Sequence, residues 1–241
     1  MTYQTVGLYA LGMKLESHPS ALAGEPPIEH QPETNWWLSW FESTPKNTRQ
    51  KILLAAFKEI HLYGYQSASI QNIINQAGVT KGALYHHFKS KHDLVITLLD
   101  EVHTQYVENT FIKPMENTDD PINTLITTLN GIKDQMSDED IALGCPLDSI
   151  AQEMAPIDAV IQQKIEALYQ RKLMTMQAAF SRGQVAGTVQ ASVSAESISL
   201  MIMATLQGCM GIAKSARSVH VLIQCGTGLI HYLEQLKVNK T

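Results

Sequence analysis

The segment GVTKGALYHHFKSKHDL, residues 78–94, gathers Lys81, Lys89 and Lys91 with His86, His87 and His92, and its only carboxylate is Asp93. Ammonium and imidazole groups donate to phosphate oxygens and to base edges, and a tyrosine hydroxyl does the same at longer reach. The chemistry on offer is non-covalent recognition of a polyanion. Two other readings compete. The histidines could be solvated surface groups. A metal site is weaker, because His86, His87 and His92 lack ligand spacing on one helical face and no nearby carboxylate or cysteine completes a set. Charge favours recognition: residues 46–92 hold Lys46, Arg49, Lys51, Lys58, Lys81, Lys89 and Lys91 against the single acid Glu59. That is a local +6 inside a chain of net −5, leaving −11 elsewhere. Such a split orients a protein on nucleic acid without coating it.

A second group with chemical potential is the thiol of Cys145 in GCPLDSIAQEM, residues 144–154. Proline at the first helical position puts Cys145 at the cap, where unpaired N–H groups and the helix dipole favour thiolate. Asp148 and Glu153 oppose it. The residue is read as a small buried group at a tight turn, as a reactive sensor, or as a pocket wall. Cys209 and Cys225 are expected as small apolar residues in a core or interface. The three cysteines show no CxxC or zinc spacing, so reduced thiols are expected rather than disulfides or structural zinc. GxSxG and HExxH are absent, and Gly226–Thr227–Gly228 lies in a helix with no preceding strand. No catalytic set, cofactor or metal is expected. A Cys145-dependent enzyme is a distant alternative.

The elements that must position these groups read as helices throughout. Asn47 or Thr48 caps a helix with Leu53, Ala56, Phe57 and Ile60 on one face, stopped by Gly64. Ser69 caps a second, carrying Ile70, Ile73, Ile74 and Ala77. Gly78 breaks the chain and Thr80 caps a short third helix. Its Leu84 and Phe88 face inward with Val79, while Thr80, Lys81, Ala83, Tyr85 and His86 project outward. Gly82 leaves room for close backbone approach. Tyr85 and His87 are in reach of phosphates, and Lys91 sits near a helix N-terminus, itself an anion site. Helix, glycine turn, helix is the arrangement whose second helix enters the major groove. Ser90 with Asp93 opens a long fourth helix.

Further helices follow Pro121, Pro146 and Pro156, and two more run from about 194 to 213 and 218 to 236. The fold class is all-α with about nine helices, because no segment alternates with the period of a half-buried strand. Leu222, Gly226, Leu229, Leu233 and Leu236 form a stripe read as a homodimer contact through the last two helices, with Gly208 and Gly211 allowing close approach. Tyr169, Met176, Phe180, Met203 and Gln207 are candidates to line an effector pocket or to belong to the core. The run SISLMIMATLQGCMGIAKSA is interrupted by polar residues, so a buried helix is expected rather than a membrane span, and a cytoplasmic location. Residues 1–46, with five prolines and Trp36, Trp37 and Trp40, read as a loosely ordered extension whose aromatic cluster could dock on its own domain or another subunit.

TRQKILLAAFKEIHLYGYQSASIQNIINQAGVTKGALYHHFKSKHDLV, residues 48–95, closely resembles the DNA-binding domain of the TetR family of transcriptional regulators. The likeness rests on Gly64–Tyr65, Ser69 with the Ile-rich helix, Ala77–Gly78–Val79 and the KGALYHHFKSKHDL run. It implies a homodimer that binds a palindromic double-stranded DNA operator and releases it when a small molecule enters the C-terminal domain. Carried over, Thr80, Lys81, Gly82, Ala83, Tyr85 and His86 resemble the base-facing set, and Ser69, Tyr85, His87 and Lys91 the phosphate contacts. GCPLDSIAQEM resembles a Gly–Cys motif in one branch of the family, some members of which respond to electrophiles or oxidants. The domains implied are an extension over 1–46, a helix-turn-helix domain over 47–94, and an effector-binding and dimerisation domain over 95–241. The alternative is a helical small-molecule-binding dimer without DNA binding.

Overall fold

The structure is a computed structural model that describes Phe41 and residues 45–238. The tryptophan cluster therefore lies outside the described residues. Its neighbour Phe41 packs edge-on against Phe57, with ring centroids 5.6 Å apart.

Local sequence signals set most helix starts. Helix α1, Thr48–Tyr63, begins where the Asn47 side chain accepts a hydrogen bond from the Gln50 N–H. Helix α2, Ile70–Ala77, is capped by Ser69, and α3, Lys81–His87, by Thr80. Gly78, at φ 63°, closes α2 in the left-handed conformation, and Val79 N–H reaches back to the Ile74 carbonyl. Ser90 opens α4, which runs on from Lys91–Thr97 through Leu98–His103, Thr104–Val107 and Glu108–Ile112 to Lys113–Glu116. The Asp93 carboxylate bonds the N–H of Lys89 rather than that of Ser90, so the reciprocal half of the capping box is displaced by one residue. Leu98–His103 and Glu108–Ile112 are wide π-type turns inside α4.

Next come α5, Pro121–Lys133; the short α6, Asp138–Leu143; and α7, Pro146–Met154. Helix α8, Ala159–Ala186, then α9, Ala195–Ala216, and α10, Val219–Gln235, complete an all-α fold. Helix α6 has no apolar periodicity to announce it; its Ser137–Asp140 capping box starts it instead.

Two apolar clusters hold the fold. The first joins Phe57 and Ile60 of α1, Ile73 of α2, Leu84 of α3 and Leu94 and Leu98 of α4 to Leu147, Ile150 and Met154 of α7 and Ile161 and Ile165 of α8. It therefore runs without a break from the helix-turn-helix elements into the helices beyond. The second packs α5, α8, α9 and α10 around Ile122, Phe180, Ile202 and Leu233. Helix α9 is long and apolar enough, by length and composition, to cross a membrane. Its Ile198, Ile202 and Met203 are built into this second cluster.

Candidate DNA-reading face and effector cavity

Helix α3 has one inward and one outward side. Leu84 is fully buried and Phe88, just past its end, nearly so. Thr80, Lys81, Gly82, Tyr85, His86 and His87 are exposed, and Ala83 is half-buried. The Thr80 hydroxyl accepts from the Ala83 N–H at 3.1 Å. The Lys81 ammonium lies 6.0 Å from the centre of the Tyr85 ring, and the His86 and His87 rings meet edge-on. A Cβ at Gly82 would meet only the Thr80 hydroxyl, at 3.9 Å, so packing within the chain does not call for glycine there.

The single acid of the basic segment is turned inside. Glu59 is buried, accepting from the Ser69 N–H at 3.1 Å and the Asn72 side chain at 2.9 Å, while its other oxygen accepts from Gln76 at 2.9 Å. Its charge is used to hold the start of α2 rather than to offset the exposed cations. Ser69 caps α2 weakly, at 3.4 Å from the Asn72 N–H.

Lys91 has an internal task. Its ammonium donates to the carbonyls of Gln66 and Ala68, at 2.9 and 3.0 Å, and stands 5.0 Å from the Tyr65 ring centre. It therefore closes the turn between α1 and α2. Arg49 is likewise committed, in a two-point pair with Glu101.

A cavity of about 220 Å³ lies among α4, α5, α7, α8, α9 and α10. Of the candidates, Cys145, Tyr169, Met203 and Gln207 line it. Met176 and Phe180 do not; both are packed in the second cluster, on the turns of α8 that face α5 and α9. At the polar end Asp148 accepts hydrogen bonds from the Tyr169 hydroxyl and from the Gln207 amide. Lys172 lines the same wall, with its ammonium 3.6 Å from the Phe111 ring centre. Burial pushes its pKa down.

Of the three readings given to Cys145, its place on the cavity lining fits the pocket wall. The Leu147 and Asp148 N–H groups do pull towards thiolate, but burial and the Asp148 charge outweigh them and raise the pKa to about 12. Cys145 is a neutral thiol on the cavity wall.

Helix α7 links this cavity to the helix-turn-helix. Its first residues, Leu147 and Asp148, line the cavity. Near its far end, the Glu153 carboxylate accepts from the N–H of Tyr65 at 2.7 Å and of Gln66 at 2.8 Å. Gly64 precedes them at φ 80°, and a Cβ there would come within 3.0 Å of Glu153. Two further ties join α4 to the start of α8: His92 to Asp158 at 3.0 Å and Lys164 to Asp100 at 2.7 Å.

The last helices differ from expectation in two ways. Leu229, Leu233 and Leu236 are buried in the chain's own second cluster, while Leu222 and Gly226 line the cavity, so that stripe does not face outward. The opposite side carries exposed Leu200, Met201 and Ile212 of α9 with Tyr232 of α10. Gly208, Gly211, Gly226 and Gly228 have nothing within 4 Å of where a Cβ would be. The expectation of reduced thiols is also overturned, because Cys209 and Cys225 form a disulfide across the α9–α10 hairpin. They stand symmetrically about Arg217 at the turn, a cue that motif spacing does not search for.

Sequence reasoning missed the roles of Glu59, Glu153, Asp148 and Lys172. Glu59 alone carried a signal, as the one acid in a basic run. Among the described residues, no group of three or more His, Cys, Asp or Glu side chains could hold a metal ion.

Comparison with known proteins agrees with this geometry. Residues 52–98 match the model for bacterial regulatory proteins of the tetR family. Residues 121–227 match that for the C-terminal domain of LmrA/YxaF-like transcriptional regulators. The chain is 25% identical over 181 residues to an uncharacterized HTH-type transcriptional regulator in the lacX 3'region of Lactococcus lactis subsp. lactis, covering 73% of this chain and 88% of that protein. It is 28% identical over 151 residues to the HTH-type transcriptional regulator LmrA of Bacillus subtilis (strain 168), covering 59% and 80%. In fold it is similar to a TetR transcriptional regulator from Chloroflexus aurantiacus J-10-FL, with a TM-score of 0.69 and 22% identity over 84% of this chain and 100% of that one. With a DNA-reading helix-turn-helix at one end and a cavity-bearing helical domain at the other, the chain belongs to the TetR family of transcriptional regulators.

Proposed function

We propose that the chain acts in the cytoplasm as a homodimeric repressor that reads a two-fold symmetric operator through α3 and releases it when a small molecule fills the cavity. The observation that carries the reading is the exposed row Thr80, Lys81, Gly82, Tyr85, His86 and His87 on one short helix, with the lone acid of residues 46–92 buried against α2. Thr80, Lys81, Gly82, Ala83, Tyr85 and His86 are assigned to base edges, and Ser69, Tyr85 and His87 to phosphates. Lys91 joins the phosphate set with what its two carbonyl bonds leave free.

The dimer contact is assigned to the outer face of α9 and α10, where Leu200 and Ile212 are 56% and 61% exposed and Gly208 and Gly211 allow close helix approach. It would set the two α3 helices about 34 Å apart, one turn of DNA. Release needs a second state in which that spacing is wrong. Helix α7, about 13 Å long at 1.5 Å per residue, connects cavity and reading head. A ligand that displaces Leu147 or Asp148 shifts Glu153, and with it the α1–α2 turn. Helix α4 follows, because His103, Tyr106 and Phe111 line the cavity while its first turn adjoins α3.

The test is Lys81→Ala with Tyr85→Ala, measured by fluorescence anisotropy on a duplex the wild type selects. Loss of binding by at least about thirtyfold with the dimer intact supports the docking of α3, since two contacts of about 1–3 kcal/mol each are removed. Unchanged binding would falsify it.

A further inference from the structure

The cavity has a charge asymmetry that points to the class of its ligand. Most of its wall is apolar, from α4, α5, α9 and α10. Of its charged lining groups, Lys133 is exposed and pairs with Asp134 at 3.3 Å, whereas Asp148 and Lys172 lie where α7 and α8 pass and are not equally satisfied. Asp148 already accepts from the Tyr169 hydroxyl and the Gln207 amide. Lys172, by contrast, finds no hydrogen-bond acceptor among the described residues; its one close partner is the face of Phe111, at 3.6 Å. A π face offsets part of the desolvation of an ammonium and leaves its three N–H donors unused. Burial lowers the pKa of this lysine, and the nearby Cys145 and Asp148 offset that only in part.

Resting on the reading of this cavity as the effector site, we infer that the effector is an apolar, ring-bearing acid whose anionic oxygens take the Lys172 ammonium while its body fills the apolar part. An anion supplies the missing acceptors and offsets the cost of the buried charge. Asp148 lies close enough to oppose it, but its charge is spent on two donors that hold it to α8 and α9. A neutral ligand of the same shape gains the apolar contact alone. A cationic ligand meets the unpaired ammonium and has only the occupied Asp148 to attract it.

Three matched probes test this by calorimetry on the full-length protein: 2-naphthoate, its neutral amide 2-naphthamide, and 2-naphthylmethylammonium. The expected order is acid tightest, amide weaker by about tenfold, ammonium weakest. In Lys172→Met, which keeps the side-chain length, the acid should fall to the affinity of the amide while the amide is unchanged, which also shows that the cavity has kept its form. Equal affinity for acid and amide, or tightest binding of the ammonium probe, would overturn the inference while leaving the cavity a ligand site. No uptake of any of the three would overturn the effector reading of the cavity and the inference with it.

Discussion

The carboxylate of Glu153 on α7 is hydrogen-bonded, at 2.7 Å, to the backbone N–H of Tyr65 in the turn between α1 and α2. The second oxygen takes the Gln66 N–H, so one acidic side chain holds two consecutive donors of that turn. The other side of the turn is held by Lys91 through the carbonyls of Gln66 and Ala68. The base on which α2 and α3 stand is thus clamped between one residue of α7 and one of α4.

Glu153→Gln keeps the size and removes the charge. Amide protection of Tyr65 and Gln66 against hydrogen exchange is expected to drop by about tenfold, from the loss of charge-assisted bonds. Protection in the middle of α1 should stay as it was. Undiminished protection at Tyr65 would mean that the clamp is not holding the turn.

Gly82→Ala separates packing from DNA approach. Nothing in the chain crowds a Cβ at Gly82, and alanine favours a helix by about 1 kcal/mol. The melting temperature should hold or rise slightly while operator affinity falls. If affinity is kept, DNA does not approach that backbone closely.

Ile212→Glu places a charge on the outer face of α9, where the isoleucine is 61% exposed. Analytical ultracentrifugation is expected to find a monomer with its helical circular dichroism retained. A dimer that survives would locate the contact elsewhere.

The Cys209–Cys225 bond closes a loop of sequence separation 16. Cys225→Ser, or a reductant added to the wild type, should lower stability by about 3 kcal/mol and the melting temperature by roughly 10 °C. Identical melting with and without reductant would show the bond to be absent in solution.

Two buried histidines set an acid limit. Burial lowers His61 to about 3 and His103 to about 4, against about 6.5 in an unfolded chain. The unfolded state therefore binds protons that the native state does not. The stability is fully present above about pH 6.5 and is lost as pH falls towards 4. Thermal melting between pH 7 and 5 should show this decline, and His61→Leu should make it shallower.

What could be read in the chain was what local order decides. Asn47, Ser69, Thr80 and Ser90 each cap a helix through the third residue on, and Leu84 and Phe88 mark the inner side of α3 by their spacing. The apolar repeat of α10 named a face but not its direction, because Leu229 and Leu233 suit a neighbour in the same chain as well as one in a partner. The Glu153 clamp joins residues 88 and 87 positions apart, and Lys172 meets Phe111 from another helix. Such pairings depend on how helices cross, which the spacing within one helix does not encode. The π-type turns of α4, which change the phase of its cavity-facing residues, have no sequence cue here either.

The measurement closest to the central claim is selection of duplexes from a randomised DNA pool by the purified full-length protein, followed by sequencing of what is retained. Enrichment of a two-fold symmetric site, with half-sites about one helical turn apart, is the expected result. No enrichment from a protein shown to be an intact dimer would contradict the reading of α3 as a recognition helix.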